Sequence, residues 1–67
     1  MKNVIKVTDV IIYLKSKKKP VVLEIDNTLV ESVELQLSNN DVRTVHIGPL
    51  WFNKLDLAYL LFEPKNR

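Results

Sequence analysis

Two stretches of this chain, residues 10–14 (Val-Ile-Ile-Tyr-Leu) and 55–62 (Leu-Asp-Leu-Ala-Tyr-Leu-Leu-Phe), are apolar on both faces, so each needs cover on two sides. With 67 residues to work with, the chain must close on itself. Either a curled antiparallel sheet brings the first and last segments together, or a dimer is built on them. A core of this size supplies only about 3 to 5 kcal/mol of net stability, so oligomerisation is an available aid. The chain has no cysteine, which removes disulfides and thiolate metal sites from the options and gives no sign of an oxidising compartment.

The charges are sorted along the chain. Residues 1–19 hold six lysines against Asp9, residues 20–42 hold five acids and no base, and residues 43–67 hold four bases and two acids. The net charge is only +2, so the field is dipolar rather than the large unopposed positive field of a strong nucleic-acid binder. Lys15, Lys17, Lys18 and Lys19 fall between the apolar runs Val10–Leu14 and Val21–Ile25, which read as a hairpin with the lysines at its solvated turn. No apolar stretch is long enough for a secretory or membrane-spanning segment. The expected setting is cytoplasmic, without a membrane.

Residues 31–38 alternate, with Val33, Leu35 and Leu37 on one side and Ser32, Glu34 and Gln36 on the other, the pattern of a strand wetted on one face. Asn39-Asn40 then reads as the turn of a second hairpin leading into Val42–Ile47. That register leaves Val45 and Ile47 on the Glu34 face, so a bulge is expected there. Thr28–Glu31 also has the form of a helix capping box. Gly48-Pro49 reads as a chain reversal, followed by a short turn over 49–54 and a strand over 55–62. The expected fold is mainly β: a single domain over 1–67, an antiparallel meander or partly closed barrel of about five strands, with residues 1–7 and 63–67 as frayed ends. The alternative is an α+β fold with a C-terminal helix over residues 50–62.

Val21–Ser32, with Glu24, Asp26 and Thr28 following an apolar run, resembles the first motif of the haloacid dehalogenase-like phosphatases, in which a strand ends in Asp-x-Asp-x-Thr. The resemblance implies a nucleophile at Glu24, an acid/base at Asp26 and a magnesium ion nearby. Glu24 is one methylene longer than that family's aspartate, and a displacement of about 1 Å can cost on the order of 100-fold in rate. The match spans a dozen residues and leaves no room for a doubly wound domain. A strand leaving the core through a polar turn accounts for the same residues.

His46, the only histidine, is a general-base candidate with Ser32 or Asp56, and equally a structural strand residue. One histidine and no cysteine do not assemble a transition-metal site, and a single glycine excludes a glycine-rich phosphate loop. No cofactor, metal or catalytic residue is expected. The function expected from these residues is a small non-enzymatic binding or adaptor module acting on a protein partner or on its own copy. The alternative is nucleic-acid binding through the lysine-rich tip. The binding candidates are Lys15, Lys17, Lys18, Lys19, Arg43, Trp51 and Phe52, the two aromatics as base-stacking groups or as plugs of a barrel end.

Overall fold

A computed structural model describes residues 6–66 of the chain. The elements run β1 (Lys6–Leu14), β2 (Val21–Asp26), a 3-10 turn (Asn27–Leu29), α1 (Val30–Ser38), β3 (Thr44–Ile47), β4 (Leu50–Asn53), a second 3-10 turn (Lys54–Asp56) and β5 (Leu57–Asn66). The fold is mainly β and antiparallel, and its five strands are divided between a three-stranded sheet ordered β2-β1-β5 and the hairpin β3-β4. Among the described residues no helix is long and apolar enough to cross a membrane.

The lysine-rich segment is the turn of the β1-β2 hairpin, in which Val10 faces Leu23 and Ile12 faces Val21. The first and last apolar segments do meet. β5 lies antiparallel along the other edge of β1, from Lys6 opposite Asn66 to Tyr13 opposite Tyr59, after which the register shifts and Leu14 faces Leu57. The shift leaves Ala58 as the extra residue of a bulge. Residues 6–7 and 63–66, expected as frayed ends, are set into this ladder, and residues 1–5 and 67 lie outside the described residues.

The core lies on one side of this sheet. Val10, Ile12 and Leu14 of β1 and Ile25 of β2 pack with Val33 of α1 and with Val45, Ile47 and Phe52 of the second hairpin, while Leu23, Val30, Leu37, Leu50, Leu57, Leu60 and Phe62 close around them. Thr8, also buried, satisfies its hydroxyl by donating to Asn27 Oδ1 at the start of the 3-10 turn.

Several expectations are corrected. Residues 31–38 form the helix α1 and not a strand. At about 100° per residue, Val30, Val33 and Leu37 fall within about 60° of one another, so they make one apolar stripe, while Leu35 lands on the far side and is exposed. Glu31, Glu34, Leu35, Gln36 and Leu37 are all good helix formers, and Glu31 in the first turn suits the helix dipole. The Thr28–Glu31 capping box does not form: α1 begins after Leu29 without a side-chain cap, and it is the Asp26 carboxylate that accepts from the Thr28 N–H at 2.9 Å and caps the 3-10 turn running into α1.

Asn39-Asn40, expected as a strand-to-strand turn, instead ends the helix. The Asn39 N–H reaches Leu35 O at 3.0 Å, and its side-chain oxygen accepts from the Asp41 N–H at 2.9 Å. β3 therefore pairs with β4 across Gly48-Pro49, and the bulge expected to bring Val45 and Ile47 to the core side is not needed. Gly48 has φ of 58°, a left-handed value that side-chain-bearing residues rarely adopt. A two-residue loop with glycine first and proline second matches the twist of the flanking strands. The segment 50–53 is thus a strand, where a turn over 49–54 was expected, and the helical alternative for 50–62 is not adopted.

Gln36 ties α1 to the edge of β3. Its side-chain amide donates to His46 O at 2.9 Å and its carbonyl accepts the His46 N–H at 2.8 Å, so one side chain takes the place of a neighbouring strand. Because each net hydrogen bond is worth about 0.5 to 1.5 kcal/mol, Gln36→Ala should cost about 1 to 3 kcal/mol, read as a lower urea midpoint with unchanged slope.

Candidate interaction surface

Strand alternation divides β1 between two faces: Thr8, Val10, Ile12 and Leu14 point into the core, and Asp9, Ile11 and Tyr13, each half-buried, point away from it, as does Val7, which is itself buried near the start of the strand. The register extends each outward residue into a rung across the sheet. Ile11 lies between Val22 and Leu61, Tyr13 faces Tyr59, Asp9 lies between Glu24 and Glu63, and Val7 lies between Asp26 and Lys65. Val22 is 58% exposed, Tyr59 53% and Leu61 48%. Tyr13 and Tyr59 stack with ring centroids 4.2 Å apart and planes inclined by 22°.

The result is an apolar band two rungs deep, aliphatic then aromatic, on the side of the sheet turned away from the core. A carboxylate rung bounds it at one end and the Lys15–Lys19 turn at the other. Like charges directly opposite one another in a sheet are unfavourable. Here Lys65 relieves part of the repulsion by reaching diagonally to Asp9 at 2.5 Å.

The lysine turn is anchored through its backbone. Lys15 N–H donates to Asp56 O at 2.7 Å, and the Asp56 carboxylate accepts from the Ser16 N–H at 3.0 Å and the Ser16 hydroxyl at 2.5 Å. Lys15, Lys17, Lys18 and Lys19 are all exposed. Arg43 and Trp51 belong to the second hairpin region instead. Arg43 lines an open groove of about 370 Å³ with Asn40, Val42, Asn53, Lys54 and Leu55, and Trp51 is 66% exposed on β4. Phe52, expected with Trp51 either as a stacking group or as an apolar plug, is buried in the core, so its stacking role is corrected. It is 5% exposed and faces Val45, because strand alternation sends the neighbouring Trp51 outward.

The phosphatase-like segment sits in a different context from the motif it resembles. β2 is an edge strand of an antiparallel sheet, Glu24 stands in the carboxylate rung beside Asp9, and the Asp26 carboxylate is committed to the Thr28 N–H and hydroxyl, both at 2.9 Å. These two bonds hold the Asp26 carboxyl below the usual carboxylate range. A depressed folded-state pKa stabilises the fold above the ordinary value of about 4, and that contribution is lost as the pH falls through the folded value. Asp26→Asn should therefore lower the urea midpoint at neutral pH, and the gap from wild type should close in acid. Asp56, considered as a partner of His46, is engaged by Ser16, and the recorded bonds of His46 are those of its backbone to Gln36.

Tyr59, Leu61, Val22 and Ile11 escaped sequence reasoning as surface residues. A signal exists: once the first and last strands are paired, equal spacing puts a tyrosine opposite a tyrosine and an isoleucine opposite a leucine. Comparison with known proteins finds no family model that matches the chain, no matching curated protein and no matching solved structure.

Proposed function

We propose that this protein is a small, non-enzymatic binding module that works by protein contact through the outer face of its three-stranded sheet. The observation that carries this reading is the band of Ile11, Val22, Leu61, Tyr13 and Tyr59, laid against solvent between the carboxylate rung and the lysine turn. Protein interfaces combine an apolar, aromatic-rich centre with a charged rim, which is the composition found here. The reading needs no cofactor or metal, and its proposed setting is the cytoplasm.

The test uses a photo-crosslinking amino acid at position 61, with position 32 on the exposed side of α1 as control, in cells expressing the full chain. Protein adducts should form at 61 and not at 32, and should disappear when Ile11→Ser and Tyr59→Ser are combined in a chain whose circular dichroism is intact. Equal labelling at both positions, or none, would retire the reading.

One observation favours a second reading. The stacked Tyr13–Tyr59 pair occupies the rung next to the lysine turn, and bases of single-stranded nucleic acid stack on aromatic side chains beside basic groups. On that reading a single-stranded oligonucleotide should shift in a gel at low salt and cease to do so with Lys17→Glu and Lys18→Glu. Absence of any shift at low salt would end it. The carboxylate rung on the same face favours the protein reading.

A further inference from the structure

We infer that the occupant of this face is a second copy of the same chain, docked face to face with its strands reversed about a two-fold axis at the level of Ile12. The inference rests on the proposed binding role of the face and names its partner. Along β1 the carboxylate rung stands at Asp9 and the lysines begin at Lys15, so the midpoint of the charge pattern is residue 12. A half-turn about an in-plane axis through that midpoint, perpendicular to the strands, lays each copy's carboxylate rung over the other copy's lysine turn. The same rotation places each strand over its own copy, so Ile11 comes over Tyr13 and Leu61 over Tyr59, while Val22 comes over the entry to β2. The charged ends and the central aliphatic and aromatic residues thus face one another, as an isologous dimer requires.

The alternative two-fold, with the axis along the strands, would stack carboxylate on carboxylate and lysine on lysine. Juxtaposed like charges in an interface cost several kcal/mol, so charge sets the orientation while burial of the apolar band supplies most of the affinity. Association through strand edges is disfavoured instead. β5 carries the Ala58 bulge and Pro64, and β2 opens directly after Pro20; bulges and prolines blunt edge pairing. A standard interface removes about 800 Å² from each partner. The chain exposes 5221 Å² in all, so such an interface would cover about one sixth of it.

The experiment is solution mass by light scattering and sedimentation on the full chain, across concentration and salt. Wild type should reach twice 7.8 kDa and weaken as salt rises. Lys15→Glu, Lys17→Glu, Lys18→Glu and Lys19→Glu together make both ends of the face acidic, and Glu24→Lys with Glu63→Lys makes both ends basic; each variant should raise the dissociation constant at least tenfold. Mixed in equal amounts, the two variants should recover a dimeric mass, because an all-acidic face then meets an all-basic one. Should charge reversal also unfold the chain, the mixture should regain circular dichroism together with mass.

Wild type that stays monomeric at about 1 mM, where only about 4 kcal/mol of association is needed, would overturn the inference, as would two monomeric variants that ignore each other. A monomer whose position 61 still crosslinks to a different protein would overturn this inference alone. A monomer with no adduct would end the binding reading as well.

Discussion

Phe52→Ala should unfold most of the population at 25 °C, whereas Trp51→Ala, one residue earlier, should shift stability by no more than about 0.5 kcal/mol. Both side chains are large and both lie on β4, but Phe52 is 5% exposed and packs with Val45 and the inner face of the three-stranded sheet, while Trp51 is 66% exposed. Truncating a buried phenylalanine costs about 3 to 5 kcal/mol in lost transfer energy and residual cavity. That range equals the whole net stability expected of a domain this small. Circular dichroism and a urea titration separate the variants directly, and comparable losses from both would show that the β3-β4 register is wrong.

The second large effect concerns the helix. Val33→Asp should abolish the folded state, and Leu35→Asp should cost less than about 1 kcal/mol. Val33 is 2% exposed at the contact between α1 and the sheet, so a carboxylate there would be desolvated without a partner. Leu35 is 61% exposed on the opposite side of α1, where the cost is confined to helix propensity and an unfavourable charge near the helix C-terminus. On a strand, positions 33 and 35 would share a face and respond alike. Denaturant midpoints of the two variants therefore decide between the helical and the extended reading of residues 30–38.

That segment shows why sequence reasoning stopped short. Over nine residues a period of two and a period of 3.6 share most of their apolar positions: Val33 and Leu37 satisfy both, and only Val30 and Leu35 distinguish them. The capping form of Thr28–Glu31 points to a helix, whereas the clean alternation over 31–38 points to a strand. Phe52 has a similar history. A two-residue Gly48-Pro49 loop pairs Ile47 with Leu50 and Val45 with Phe52, leaving His46 opposite Trp51, and the apolar pairs then mark the inner side. With the loop assigned to Asn39-Asn40, that parity was hidden.

The proposed interaction surface is half legible in the sequence. The lysine cluster was placed at a solvated turn because four cations between two apolar runs have nowhere else to go. Its neighbours on the sheet were not visible, since Ile11, Tyr13, Tyr59 and Leu61 sit in runs so uniformly apolar that nothing local says which side is covered. One α-helix and one short hairpin are enough to cover one face of a three-stranded sheet. The outer rungs stay open because residues 6–66 supply no further element to place over them.

By itself, then, the order of residues determined what short-range chemistry controls: a hairpin closed by lysines, a reversal at the only glycine, and two end segments too apolar to be left uncovered on both faces. Tertiary packing alone decided that residues 30–38 coil, that Phe52 rather than Trp51 is buried, and that one side of the central sheet is left open. The physical reason is range. Turn chemistry and charge solvation act over a few neighbours, whereas the choice of buried face depends on what is available elsewhere in the chain to cover it.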